Sequence, residues 1–299
     1  MTTRSTKISF GALYVVLAGM LWGTTGTAQA LGPSTSNPLA VGALRLIVAG
    51  IALALMSYCR GGLRSLSWPW GLVFLGGALV ALYQATFFSG VALAGVAVGT
   101  IVGIGSAPIF AGVLEIIFFR QKPRLIWYLS TTVALCGCAL LLFAENGGAD
   151  SWGSFLGVLL ALCAGLSYAG TSLIMKTLLQ EREAEEVTAM LFCVGAVLLT
   201  PVLFYVDISW LFSPSGFVMI LHLGLFSMAL AYLLFVKGLE VVPVSTAVTL
   251  ALTEPMTAGL LAVFVLDEKL CLLSGVGLVL IFFAVLFLLI PQKAKIEAL

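Results

Sequence analysis

AGMLWGTT (residues 18–25) returns as AGLSYAGT (164–171), and SAPIFAGVLEIIFFRQK (106–122) returns as TEPMTAGLLAVFVLDEK (253–269). In the first pair Ala18/Ala164, Gly19/Gly165, Trp22/Tyr168 and Thr25/Thr171 correspond, 146 positions apart. In the second, Pro108/Pro255, Ala111/Ala258, Gly112/Gly259, Leu114/Leu261 and Lys122/Lys269 agree at an offset of 147. Each copy holds an odd number of apolar spans, so the second copy inserts upside down. Inverted repeats are the architecture of alternating-access transporters, which makes transport the reading to test.

The composition excludes a soluble domain. The chain is 61% apolar and 9% charged, against about a quarter charged in globular proteins. A hydrocarbon core takes about 20 apolar residues to cross as a helix. Ten such stretches are expected, near 9–31, 38–58, 68–90, 95–119, 124–143, 152–178, 187–206, 216–237, 243–266 and 270–290. The expected class is an all-α membrane protein of ten transmembrane helices, arranged as two inverted five-helix repeats over residues 1–146 and 147–299. These form one integrated membrane domain, with almost nothing left for an extramembrane one.

Basic residues concentrate on the cytoplasmic side of a membrane protein. With the N-terminus inside, the inner segments hold Arg4, Lys7, Arg60, Arg64, Arg120, Lys122, Arg124, Lys176, Arg182, Lys237, Lys293 and Lys295, whereas the outer loops hold Lys269. Both termini are therefore expected in the cytoplasm. Arg4, Lys7, an apolar run and Ala28-Gln29-Ala30 imitate a cleavable leader. The run is too long for one and its counterpart in the second half is internal, so the first span is expected to stay. Net charge near zero carries no message about nucleic acid. The six cysteines (Cys59, Cys136, Cys138, Cys163, Cys193, Cys271) match neither a zinc site nor a redox pair and read as small packing residues. No metal and no cofactor are expected.

Ionisable residues at membrane depth face a bundle interior or a wet cavity and default to functional candidates. Arg45, Glu115, His222 and Glu254 qualify. Glu115 lies near Arg120 and Lys122, where it can snorkel or pair, and reads as structural. Arg45 and His222 each lie about two turns inside the outer surface, as helix bridges or vestibule lining. Glu254 falls mid-span and precedes Pro255. Proline removes a backbone donor and clashes with the carbonyl four residues back, so the helix should bend there. The equivalent place in the first copy is Gly105-Ser106-Ala107-Pro108, without a carboxylate. Paired breaks at the repeat interface point to a midplane binding site, with Pro108 and Pro255 as kinks or gates.

Aromatic and polar residues follow. Trp22, Tyr168, Tyr83-Gln84 and Tyr232 sit well inside their spans, where an indole N–H or phenol seeks a polar partner. They suit a substrate with an apolar side chain; ordinary packing is the plainer alternative. Gly95, Gly99 and Gly103, like Gly19 and Gly23, recur every four residues. That spacing lets helices approach closely and carries no ligand role.

With these residues assembled, the chain resembles the drug/metabolite transporter superfamily, specifically the EamA-type permeases, over essentially its whole length. The resemblance rests on AGMLWGT, on Arg45, and on PIFAGVLEIIFFRQK and EPMTAGLLAVFVLDEK. Within the family it is most similar to the YddG-type aromatic amino acid exporters. The resemblance implies a basket-shaped bundle whose cavity is lined by helices 1, 3, 4, 6, 8 and 9, and export of amino acids or related metabolites across a bacterial inner membrane. Carried over, the cavity candidates are Trp22, Tyr83, Gln84, Ser106, Tyr168, Tyr232, Thr253 and Glu254, with Lys237 at the cytoplasmic mouth. The first repeat carries Arg120-Gln121 where the second has Asp267-Glu268, which argues against a symmetric ion-pair gate.

Lipophilic drugs are a rival substrate class for an aromatic cavity. Sugar phosphates are a weaker one, since phosphate recognition wants several Arg or Lys. An intramembrane hydrolase would need His222, the only histidine, beside a nucleophile, and no nucleophile elbow or HExxH motif occurs. A channel would need a charged ring or a carbonyl filter. The expected partners are a small molecule and the lipid bilayer, with no nucleic acid; a monomer is among the open oligomeric states.

Overall fold

The computed structural model describes residues 2–62, 67–145, 155–267 and 271–290. Arg64, Glu268, Lys269, Lys293 and Lys295 lie outside the described residues, as does the boundary between 146 and 147. The helices are α1 (Thr2–Ala30), α2 (Pro38–Cys59), α3 (Trp70–Ala94), α4 (Val96–Phe119), α5 (Leu125–Glu145), α6 (Phe155–Leu178), α7 (Ala184–Phe204), α8 (Pro214–Leu239), α9 (Val244–Leu266) and α10 (Leu272–Leu289). Among the described residues, nine are long and apolar enough to cross a membrane, and α5 contributes a shorter apolar helix over Leu125–Leu141. No strand occurs among them. Large apolar side chains such as Leu55, Phe74, Leu129, Val197 and Phe264 stay exposed on the outside, where a membrane supplies hydrocarbon rather than water.

The helices pack in mirrored pairs. α6 lies against α3 and α4, as α1 lies against α8 and α9; α2 packs on α7 and α5 on α10. Glycines make these approaches possible. A Cβ on Gly90 would stand 3.0 Å from Ala161 N and 3.1 Å from Gly157 O, and one on Gly238 2.7 Å from Gly11 O. Across α5 and α10, a Cβ on Gly137 would stand 2.7 Å from Gly277 O, and one on Gly277 2.6 Å from Gly137 O. The C-caps of α4 and α9 also correspond. Arg120 and Asp267 both adopt the left-handed conformation at φ 55°, a helix stop usually given to glycine. The turn is shared while its charge is reversed.

The irregular stretches belong to the second repeat. α9 unwinds at Ala251–Leu252 and restarts at Thr253, and α8 is π-helical over Leu223–Leu230. α4, by contrast, remains one helix through Pro108. The expected pair of breaks is thus a single one, displaced upstream of Pro255. The proline explains the place: it offers no N–H to Ala251 and crowds that carbonyl, which accepts from Glu254 N at 2.9 Å instead.

Candidate functional site

A cavity lies inside the bundle. Trp22, Thr25 and Gln29 line it from α1, Arg45 from α2, Tyr83, Phe87 and Phe88 from α3, and Gly103 and Ile104 from α4. Tyr168 comes from α6, Met228 and Tyr232 from α8, and Val248, Ala251, Leu252 and Glu254 from α9. Arg60, Arg120, Lys176 and Lys237 mark the end of the bundle where α2, α4, α6 and α8 finish, here called the basic end. The α1 lining, from Trp22 to Gln29, runs away from that end.

The floor is aromatic. Trp22 contacts Tyr232 edge-on at 4.9 Å, Phe235 at 5.4 Å and Tyr168 at 6.0 Å between ring centroids. Tyr83 extends the patch, 6.0 Å from Tyr168 and stacked on Phe87 at 5.6 Å. Such edge and offset contacts add to plain burial. Two polar atoms in this floor have no hydrogen-bond partner, Trp22 Nε1 and Tyr168 Oη. Buried donors without partners are rare in folded proteins, and both belong to cavity-lining side chains.

Charge enters from the walls. Arg45, 8% exposed, donates from Nη2 to Gln84 Oε1 at 2.7 Å and lies 5.5 Å from the Phe88 ring; its Nε has no partner. Gln84, 2% exposed, stands behind the arginine and is not part of the lining. Glu254 is held at the start of the second segment of α9, and Gly23 lets α1 reach it: a Cβ there would come within 2.7 Å of Glu254 O. Arg45 thus lines the cavity and also bridges α2 to α3 through Gln84, and Glu254 is the carboxylate in the same lining.

Other expected residues lie elsewhere. Thr253 is fully buried, donates to Leu250 O at 3.0 Å and packs its hydroxyl against Gly19. Ser106 packs its own against Gly165 and donates to Gly103 O at 3.4 Å. This repeat-related pair sits at helix contacts rather than in the cavity. The cavity receives other residues from the same turns. Ile104 and Ala251, each four residues before a proline, lose a helical donor and both line the space. His222 joins Thr24 Oγ1 at 2.9 Å beside a groove between α1, α8 and α9. Lys237 pairs with Glu185 at 3.2 Å, and Arg60 with the same oxygen at 2.6 Å.

Glu115 does not pair with Arg120 or Lys122. It is 3% exposed and accepts from the N–H groups of Val244 at 2.9 Å and Ser245 at 3.2 Å, and from Ser245 Oγ. The unpaired N–H groups of a helix start favour an anion, and α9 begins there. Lys176 does the complementary work at the end of α8, donating to the carbonyls of Leu239, Glu240 at 3.3 Å and Val242 at 3.2 Å. In the turn between them, burial and then the nearby Glu183 raise the Glu240 carboxyl above its ordinary value.

Phe87, Phe88 and Met228 were not singled out by sequence, because apolar residues in an apolar chain carry no distinguishing mark. Lys176 counted only as one more inner charge.

Comparison with known proteins agrees with this architecture. An uncharacterized transporter of Bacillus subtilis (strain 168), YwfM, is 44% identical over 285 residues, 95% of each chain. An uncharacterized transporter of Archaeoglobus fulgidus is 27% identical over 90% of this chain and 92% of its own. A crystal structure at 20% identity superposes with a TM-score of 0.82 over 93% of this chain and 95% of that one, a likeness of fold. The model of the EamA-like transporter family matches twice, over residues 9–143 and 155–290, and the chain belongs to that family.

Proposed function

We propose that this transporter exports small zwitterionic metabolites, amino acids with apolar or aromatic side chains first among them, by alternating access through the central cavity. The observation that carries the reading is the presence of one cation, Arg45, and one carboxylate, Glu254, together on the walls of an aromatic chamber. A carboxylate suits the guanidinium, whose fork of donors matches it. An ammonium suits Glu254, and the rings receive an apolar side chain. The bias of basic residues supports a bacterial inner membrane with the basic end and both termini in the cytoplasm. Transport needs no chemistry on the substrate.

Sugar phosphates fit less well. Arg45 is the cationic lining residue among the described ones, while Lys237 is engaged by Glu185. Lipophilic compounds are a second reading with its own observation. The groove bounded by Thr24, Ala28, Val218, Met219, His222 and Leu261 lies between α1, α8 and α9 and holds about 630 Å³ of largely apolar space.

Purified protein in liposomes tests both readings. A panel of labelled amino acids, with and without a pH gradient, should reveal saturable, protein-dependent flux of phenylalanine- or leucine-like substrates. Flux of lipophilic cations alone would favour the second reading, and flux of neither would sink the first.

A further inference from the structure

We infer that Glu115 and Lys176 form a latch that holds the basic end of the cavity shut, and that the repeat-related positions at the opposite end carry no counterpart to it. Both residues spend their charge on one short segment, the turn joining α8 to α9. Lys176, at the end of α6, gathers three carbonyls from residues 239–242. Glu115, near the end of α4, takes the N–H groups of Val244 and Ser245 and the Ser245 hydroxyl. The turn is therefore tied to both repeats at once. A cation at the carbonyl end of one helix and an anion at the N–H end of the next each meet the favourable pole of a helix dipole.

In an inverted-repeat protein, opening one end means giving that end the arrangement its mirror image now has at the other. The mirror image of this turn is the α3–α4 connection around Gly95. The positions corresponding to Lys176 and Glu115, at the offsets of 146 and 147, are Ala30 and Ala262. Neither alanine has a group that could tie that connection down. The latch must break when the basic end opens, and the repeat-related alanines form nothing equivalent in exchange. The resting population is thereby biased toward the state described here, with the cavity closed at the basic end. This rests on the alternating-access reading only for the motion it opposes.

Distances between spin labels at Phe118→Cys on α4 and Val241→Cys in the turn test the latch directly. The measurement uses the full chain in lipid nanodiscs, with its six native cysteines replaced and without substrate. The parent should give one short distance. Glu115→Gln and Lys176→Met should each add a longer population, lowering the closed-to-open ratio roughly tenfold, the scale of a hydrogen bond to a charged group. An unchanged distribution in both variants overturns the latch. Should either fail to fold, Ser245→Ala removes one donor and keeps every charge. It should shift the ratio a few-fold, and a distribution matching the parent overturns the proposal equally. No substrate enters this readout, so lengthened distances in a protein that moves no amino acid would sink the amino acid export reading and leave the latch standing.

Discussion

The two repeats agree in how they pack and disagree in what they carry. Gly19 meets the Thr253 hydroxyl where Gly165 meets that of Ser106, its repeat mate. A Cβ on Gly224 would meet Val48 and stand 3.3 Å from Arg45 O, and one on Gly77 would meet Val194 and stand 3.0 Å from Leu191 O. In that correspondence Leu191 holds the place of Arg45, Ala107 that of Glu254, and Ala262 that of Glu115. Shared contacts involve glycine, small residues and backbone, which a symmetric scaffold needs twice. The charges occur once each: Arg45 and Glu254 in the lining of the cavity, where the proposed function gives each one end of the substrate, and Glu115 at the start of α9.

The largest effects are expected where this asymmetry is erased. Glu254→Gln keeps shape and loses charge. It should lower flux of a zwitterionic substrate at sub-saturating concentration by roughly ten- to a hundredfold, the range for a hydrogen bond to a charged group. Arg45→Met should cost flux similarly, and it should also cost stability. The substitution leaves the buried Gln84 amide unpartnered, worth about 1–3 kcal/mol, read as a fall in unfolding temperature. Adding Gln84→Met should restore stability and leave flux low. A double variant that transports like the parent would make the Arg45–Gln84 pair a helix brace only.

A smaller effect should appear wherever the symmetry is overfilled. Gly19→Ala and Gly165→Ala each place a methyl group into an occupied contact, for about 1–3 kcal/mol of overpacking. Similar losses at both sites, measured by thermal unfolding, would uphold the mirrored packing; a loss at one site alone would break it. The rescues should differ. Thr253→Ala should recover most of the Gly19→Ala loss, since the next atom met is Ala251 O at 3.1 Å. Ser106→Ala should recover less at Gly165, where Gly103 O stands at 2.7 Å.

How much of this is legible in the chain depends on the range of the interaction. Spans, repeats and the class of transporter follow from apolar length and from local strings that recur, which need no tertiary knowledge. Glu254 stands out because a carboxylate at mid-span is costly wherever it points. Direction is another matter. Thr253 and Glu254 are neighbours, yet one faces a glycine on α1 and the other the cavity, and nothing in the string separates them. The unwinding at Ala251–Leu252 lies upstream of the proline that provokes it, since a proline disturbs the carbonyl four residues back. Glu115 meets Ser245 across 130 positions, so its nearer neighbours Arg120 and Lys122 look like the natural partners until the fold is known.

The smallest effect should follow from His222→Leu. The mirrored position, 147 residues earlier, is Leu75, 50% exposed, so the scaffold already tolerates leucine in that place once. His222 gives up one hydrogen bond, with Thr24 Oγ1 at 2.9 Å, and its ring stacking on Phe226 at 5.6 Å, which a leucine replaces with apolar contact. Thr24 keeps Leu21 O at 2.7 Å and Ser227 Oγ at 3.2 Å, and no buried hydroxyl is orphaned. The cost should therefore stay near or below about 1 kcal/mol, the net value of an ordinary hydrogen bond, with flux within about twofold of the parent. An intramembrane hydrolase would respond differently. Its only histidine would be its general base, and catalysis would fall by about a hundredfold or more on its loss. Flux measured in liposomes therefore tells scaffold from chemistry at this position: a variant that works leaves His222 as a helix contact, and one that fails would place the second repeat's groove inside the mechanism.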